Sequence, residues 1–572
     1  MDYSIRICGE AGQGIQTVGD TLSRVFARTG YHVLTHQDYE SRIRGGHNFY
    51  QVRVADRPLT AARDRIDILV AFDRDSIEQD ALLVADQGRV LYDSIALKLK
   101  PDGPKFLDVP FSSLAMEHGG SRIMANAVAT GAVMGIFGMD MTVLLGIIAD
   151  TFVKKGEDVI KANISAASAG YDFAVRECSG CSFGAAAGAV QKMLIAGIDA
   201  IGAGALASGC TFYAAYPMTP STGIMNYLAG KSQEFGIVVE QAEDEIAAIN
   251  MALGASFGGV RAMTASSGGG FALMVEGLSL AAMTETPIVI GLGQRPGPAT
   301  GFPTRTEQAE LQFALYTAHG EFPRIIFAPG DPEQAFYLTN KAFDLSEKYQ
   351  VPAFVVFDQY LADSQWTYAG LDLDRLVYTD YRLRADALSG LSEYRRHAYT
   401  ETGVSPLAVP GQSRHVVVTD SDEHDEDGHI VEDAETRTKM VEKRLLKKMP
   451  LIREEIAPPM LFGITDPEIV LVGWGSTYGV IREAVQELSG KQKIAMLHFS
   501  EIFPFPGTDV FDYLSLLRNA KKTICIEQNA TGQFARLMRA ETGFAFSDTL
   551  TRYDGRPFTV ENLMGELHGH IG

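Results

Sequence analysis

Short apolar runs recur along this chain. Each is followed by a Gly-, Pro- or Ser-rich stretch and then by a helical period. YSIRICG leads into GEAGQG (Gly9 to Gly14) and then into IQTVGDTLSRVFARTG, which ends at Gly30. YHVLTHQ and DRIDILVAFD read as further strands. Alternating strands and helices predict an α/β fold with parallel sheets. Three such units follow one another between Thr211 and Glu310: TFYAAYPMTPSTGIMNYL, VVEQAEDEIAAINMALGASFGGVRAMTASSGGGF and TPIVIGLGQRPGPATGFPTRTEQAE. Ligands gather at the carboxyl ends of strands in open parallel sheets. The three loops are therefore expected to wall one site. VPAFVVFDQYLAD reads as the last strand of that domain, and EIVLVGWGSTYGVIREAVQEL opens another.

These signals predict three α/β domains. Residues 1–176 form the first. The Gly/Ala-rich stretch 177–190 is a linker. Residues 191–364 form the second domain, 365–464 an irregular charged connection, and 465–572 the third. Within the connection, DSDEHDEDGHIVED reads as a solvated acidic loop, followed by a charged helix from Ala434 to Lys448. His424 and His429 could ligate a metal, but a flexible acidic loop is the commoner outcome.

Composition narrows the function classes. The 572 residues exceed one domain. A net charge of -21 argues against nucleic-acid binding. The run Ile123 to Ile148 carries Asn126, Asp140 and several glycines, so it reads as buried helices and not as a membrane span. The opening MDYSIRICGEAGQG goes straight into a strand, without a signal peptide. Cys8, Cys178, Cys181, Cys210 and Cys525 are scattered as in a reducing, cytoplasmic protein. Cys178-Ser-Gly-Cys181 lacks the second pair that a structural zinc would need. It reads as two free thiols.

Several residues are candidates on chemistry alone. Glu243-Asp244-Glu245 follows a strand and opens a helix. Acidic residues suit a helix's first turn, but one of these carboxylates could instead face a heterocyclic cofactor. Pro217 and Pro220 stiffen a loop that would hold the Thr219 hydroxyl, with Ser221 as donor or helix N-cap. Arg295 ends a very apolar strand inside a Pro/Gly loop, where a guanidinium can grip a carboxylate with two hydrogen bonds. Gly9 to Gly14 is either a nucleotide loop, with Asp38 on a ribose, or a structural turn. Arg42, Arg44, Gly45, Gly46 and His47 form a small basic loop that also reads as a hairpin turn.

Glu245 is followed at nine and ten positions by Gly254-Ala255 and at fourteen to sixteen by Gly259-Val260-Arg261. This resembles the pyrimidine-binding module of thiamine-dependent enzymes of the transketolase type. There the Glu hydrogen-bonds the aminopyrimidine and favours its imino tautomer, so that the cofactor can deprotonate its own thiazolium carbon. Glu243 is the alternative. Tyr216 to Thr222 (YPMTPST) resembles the YPITPS loop of the 2-oxoacid:ferredoxin oxidoreductases, with Met218 in place of Ile. The resemblance implies that Arg295, Thr219 and Ser221 hold the 2-oxoacid. It also implies that Tyr216, Pro217, Ser266 and Ser267 line the thiamine diphosphate, and Thr304 and Arg305 would suit a dicarboxylate. GEAGQG and Arg44-Gly45-Gly46 resemble the family's γ part, so Arg42 to His47 become candidate gate or contact residues for coenzyme A. EIVLVGWGS and IEQNATGQ resemble a transketolase C-terminal-like domain. The γ–α fusion, EHDEDG and MVEKR are most similar to α subunits acting on 2-oxoglutarate.

The implied reaction converts 2-oxoglutarate, CoA and oxidised ferredoxin to succinyl-CoA, CO₂ and reduced ferredoxin, and its reversal would fix CO₂. The alternatives are pyruvate or a branched-chain 2-oxoacid as substrate, a nucleotide-binding subunit, or a scaffold. No GDG metal motif and no cluster-ligand set occurs in the sequence. The resemblance therefore implies a β subunit carrying Mg²⁺, the cofactor's diphosphate end and a [4Fe–4S] cluster, in an (αβ)₂ assembly.

Overall fold

The computed structural model describes residues 1–178, 181, 183–184 and 190–571. The chain divides into two compact units. One comprises Met1–Ile195, Asp363–Leu371 and Thr559–Leu563; the other comprises Ala196–Ala362, Asp372–Phe558 and Met564–Gly572.

In the first unit, Ile5, Ile7 and Cys8 are fully buried in the strand Asp2–Ala11, inside an eight-stranded sheet. This strand pairs in parallel with Ile66–Ala71 and antiparallel with Gly45–Ala55. Val84–Tyr92 and Phe106–Asp108 extend the sheet in parallel on one side. On the other side, His32–Asp38 and then Gln365–Tyr368 add antiparallel strands. The strand runs through Gly9 to Ala11, so the tight turn expected over Gly9 to Gly14 is confined to Gly12–Gly14, ahead of the helix Ile15–Arg28. The apolar run expected to be buried helices forms Ala125–Phe137 and Thr142–Phe152. The first of these packs backbone to backbone on Glu157–Glu177, because a Cβ on Gly131 would come 1.9 Å from the Ala167 carbonyl oxygen. Among the described residues, no helix is long and apolar enough to cross a membrane. Cys178 and Cys181, expected to be free thiols, are joined in a disulfide; their Cα atoms stand 5.3 Å apart, within bridging range. The remainder of that linker falls largely outside the described residues.

The second unit carries two sheets. One has seven strands in the order Glu501–Phe503, Ile325–Phe327, Pro352–Asp358, Ile288–Gln294, Arg261–Ser267, Cys210–Ala215 and Val238–Gln241. Every pair is parallel except the first. The other has five strands: Met460–Gly463, Ile494–Phe499, Ile469–Trp474, Lys522–Glu527 and Asp548–Thr551. Ile290 and Phe354 of the seven-stranded sheet share one apolar cluster with Val472, Trp474 and Phe499 of the five-stranded sheet, so the two sheets belong to one core. Gly259-x-Arg261 has a structural use. Arg261 donates to Glu347 at 2.5 Å and to the carbonyls of Ser208 and Thr379, at the amino end of its strand.

The charged connection is not a solvated loop. His424 is fully buried. Glu423 accepts from Arg444 at 2.7 Å and Arg437 at 2.6 Å, and Glu426 accepts from the Tyr399 N–H at 2.8 Å. The expected helix is broken into Ala434–Val441, a π-helical turn Glu442–Lys447, and Lys448–Glu454. The wide turn puts Lys443 and Lys448, five residues apart, on the same side. Both ammonium groups donate at 2.5 Å to Glu285, a buried residue with left-handed backbone (φ 52). His397 Nδ1 lies 3.2 Å from Glu285 Oε1, and Arg396 donates to the Glu285 carbonyl. The acidic segment is drawn in because Glu423 pairs with Arg444 and Arg437, and Glu426 with Arg395.

Candidate active site

The carboxyl ends of the parallel strands Cys210–Ala215, Val238–Gln241, Arg261–Ser267 and Ile288–Gln294 lead into the loops expected to wall the site. The structure joins two of these loops directly. Arg295, 8% exposed, donates from Nη1 to the Thr219 carbonyl oxygen at 2.9 Å. Burial lowers the Arg295 pKa, against the pull of the Glu310 carboxyl. Ser221 is 1% exposed and spends its hydroxyl on the Met218 carbonyl at 2.7 Å. It shapes the turn before the helix Thr222–Phe235 and makes no side-chain cap. Tyr216 is exposed, while Pro217 and Thr219 are half-buried.

Glu245 is the first residue of the helix Glu245–Phe257, which Asp244 caps by accepting from the Ala247 N–H at 2.7 Å. Division of labour in the acidic triplet follows: Asp244 caps, Glu243 is exposed, and Glu245 is 3% exposed. The Ser266 hydroxyl lies 3.4 Å from Glu245 Oε1 and 3.7 Å from the Met218 sulfur, linking strand, helix and loop. Ser267 is fully buried, and its Oγ has no hydrogen-bond partner among the described residues.

The triple glycine after Ser267 is the hub that motif reasoning passed over. A Cβ on Gly270 would fall 2.2 Å from Glu245 Oε1 and 2.1 Å from Ser266 Oγ. A Cβ on Gly268 would fall 2.7 Å from Glu310 Oε1. Two carboxyls therefore pack on the bare backbone of one turn. The available signal was three glycines directly after a strand, which marks a close approach. Glu310 was also missed. Burial, reinforced by Glu307, pushes its carboxyl up to about 8 against the pull of Arg295. Burial likewise lifts Glu307 to about 7. Burial pulls Arg305 down to about 10, with Arg556 adding to the effect. The two arginines approach because Thr306 N–H donates to the Gly555 carbonyl at 3.2 Å. Thr304 is half-buried in the same loop.

In the first unit, Arg42 and Arg44 lie exposed on the hairpin between His32–Asp38 and Gly45–Ala55. Gly45 and Gly46 both have φ near the left-handed region (77 and 78). Asn48 accepts from the Glu40 N–H at 2.8 Å, and Arg42 pairs with Glu40 at 2.7 Å. His47 Nε2 lies 3.0 Å from Asp80, which also accepts from Cys8 at 3.1 Å and Arg6 at 2.8 Å. Cys8, His47 and Asp80 are grouped as metal ligands could be, but the Arg6 guanidinium already gives Asp80 its cation.

Comparison with known proteins gives the family. Residues 203–443 match the family described as pyruvate flavodoxin/ferredoxin oxidoreductase, thiamine diphosphate-binding, and residues 4–173 match pyruvate ferredoxin/flavodoxin oxidoreductase. The chain is 31% identical over 633 aligned positions to a 2-oxoacid:ferredoxin oxidoreductase subunit alpha from a Sulfolobus species, covering 98% of this chain and 96% of the relative. It is 28% identical to the 2-oxoglutarate oxidoreductase subunit KorA of Mycobacterium tuberculosis, covering 98% and 90%. A solved structure of 2-oxoglutarate:ferredoxin oxidoreductase from Magnetococcus marinus, with 2-oxoglutarate, coenzyme A and succinyl-CoA bound, superposes with a TM-score of 0.91. It is 33% identical, with 100% of both chains covered.

Proposed function

Since this chain belongs to the thiamine-diphosphate-dependent 2-oxoacid:ferredoxin oxidoreductases as an α subunit, we propose that it acts on 2-oxoglutarate, with CoA as acyl acceptor and ferredoxin as electron acceptor. The observation that carries its thiamine-dependent chemistry is the Glu245 carboxyl, buried at a helix start and packed on the bare backbone of Gly270. A group held this way can keep a hydrogen bond to a heterocyclic nitrogen in fixed geometry. Thiamine diphosphate, when bound, supplies the carbon nucleophile and electron sink for decarboxylation. The residues present fit its pyrimidine end: Glu245 as hydrogen-bond partner, Ser266 and Ser267 beside it, and Tyr216 and Pro217 at the rim.

Arg295 and Thr219 then hold the carboxylate next to the scissile bond. Arg305, with Thr304 and the nearby Arg556, would answer a second carboxylate. Both the relative from Mycobacterium tuberculosis and the structure from Magnetococcus marinus carry 2-oxoglutarate in their names. Arg42, Arg44 and His47, on their hairpin with Gly45 and Gly46, are proposed contacts for CoA. The assembly is proposed to be completed by a β subunit that brings Mg²⁺, the diphosphate site and a [4Fe–4S] cluster, as (αβ)₂. The exposed face of the helix Glu245–Phe257, with Ile246 and Met251 about half exposed, supports a protein neighbour there.

Co-expression with the β chain tests the reading. The purified complex should reduce viologen with 2-oxoglutarate in a CoA-dependent way, and only weakly with pyruvate or branched-chain 2-oxoacids. Arg305→Ala should raise KM for 2-oxoglutarate and leave that for pyruvate unchanged. Equal turnover on all three acids would remove the 2-oxoglutarate assignment and leave the family role intact.

A further inference from the structure

Glu310 has no role in the reading above, yet its carboxyl lies among groups assigned one. Oε1 packs on Gly268, in the turn whose other side carries Glu245. Oε2 is shielded from solvent and has no hydrogen-bond donor among the described residues. The positive charge of Arg295 pulls on the carboxyl electrostatically, although the two make no ion pair within 4.0 Å among the described residues. The Glu310 N–H donates to Gln294 Oε1 at 3.1 Å, which fixes the residue beside the end of the strand Ile288–Gln294. We propose that Glu310 is a specificity and positioning residue of the 2-oxoacid site, deciding with Arg295 whether a substrate carboxylate can dock. The proposal rests on the assignment of Arg295 to the 2-oxoacid.

The physics is a competition for one guanidinium. Ionised, Glu310 would supply Arg295 with an internal counter-ion and repel a second carboxylate beside it. Neutral, Glu310 leaves the positive charge of Arg295 to the substrate and offers an O–H donor from its otherwise unpartnered side. The charged and titratable groups interacting with it are Arg295 and Glu307. Burial and Glu307 favour the neutral form, whereas Arg295 opposes it. Docking an anionic 2-oxoacid at alkaline pH then carries a proton into the site. Glu307 is, after burial, the second brake on ionisation, so its removal should shift the response to lower pH.

The test uses the intact complex with its cofactors. In wild type, kcat/KM for the 2-oxoacid should fall about tenfold per pH unit above roughly pH 8, through KM. Glu310→Gln keeps shape and hydrogen bonding without an ionisable proton. It should flatten the KM profile between pH 7 and 9.5. Calorimetric titration with the 2-oxoacid at pH 9, in buffers of different ionisation enthalpy, should show uptake of close to one proton in wild type and none in Glu310→Gln. Unchanged profiles and unchanged proton uptake in Glu310→Gln would overturn the proposal. Wild type that does not turn over or bind any 2-oxoacid would instead defeat the functional reading beneath it. If Glu310→Gln fails to fold, Glu307→Gln serves: a lowered pH midpoint in KM supports the proposal, and an unmoved one overturns it.

Discussion

Arg295 donates from Nη1 to the carbonyl oxygen of Thr219 at 2.9 Å, tying the loop after one strand to the loop after another. This bond uses one arm of the guanidinium fork and fixes the plane of the others. Arg295→Lys keeps the charge but cannot both hold the Thr219 carbonyl and present a fork. At about 1.5–3 kcal/mol for a charge-assisted hydrogen bond, kcat/KM for the 2-oxoacid should fall roughly 10- to 150-fold. Circular dichroism of the variant should be unchanged.

Gly270→Ala isolates the cradle of Glu245. The added methyl would sit 2.2 Å from Glu245 Oε1 and 2.1 Å from Ser266 Oγ, so the carboxyl must move. Misplacement of a catalytic group by about 1 Å costs on the order of 100-fold in rate. Turnover of the complex should fall by that factor or more while its assembly, read by size-exclusion chromatography, persists.

Glu285→Gln tests the ion cluster that docks the connecting region. Lys443 and Lys448 each donate to this buried carboxylate at 2.5 Å. Losing the charge leaves two buried ammonium groups uncompensated, a loss of about 3–5 kcal/mol. The thermal midpoint should drop by several degrees. Acid should mimic the variant. Burial alone would raise the Glu285 pKa, but Lys443 and Lys448 outweigh it and hold the carboxyl well below its ordinary 4.5. A depressed carboxyl contributes its stability above 4.5, and that contribution is lost as pH falls below this value. The variant should therefore lose less stability on acidification than wild type does.

Much of the α/β architecture could be read from strand-sized apolar runs that end in Gly or Pro loops, and Asp2–Ala11 and Ile288–Gln294 are clear examples. The helix-opening Glu245 was visible through its spacing to Gly254-Ala255 and Gly259-x-Arg261, although Arg261 turned out to serve a buried ion pair with Glu347. What could not be read were contacts between distant segments. Glu285 meets Lys443 and Lys448 across more than 150 residues, and only a π-helical turn brings both lysines to it. The acidic stretch around His424 has the composition of a solvated loop, and its burial is decided by arginines elsewhere. Glu310 carries no motif; its importance comes from Gly268 having no side chain.

The central claim is that the buried Glu245 carboxyl activates the cofactor. It is tested most directly by Glu245→Ala in the complex with the β chain, assayed for viologen reduction with 2-oxoglutarate and CoA. Loss of turnover by roughly 100- to 10,000-fold, with complex assembly intact, is the predicted result. Turnover within a few-fold of wild type would contradict the account and leave this chain a scaffold for chemistry done elsewhere.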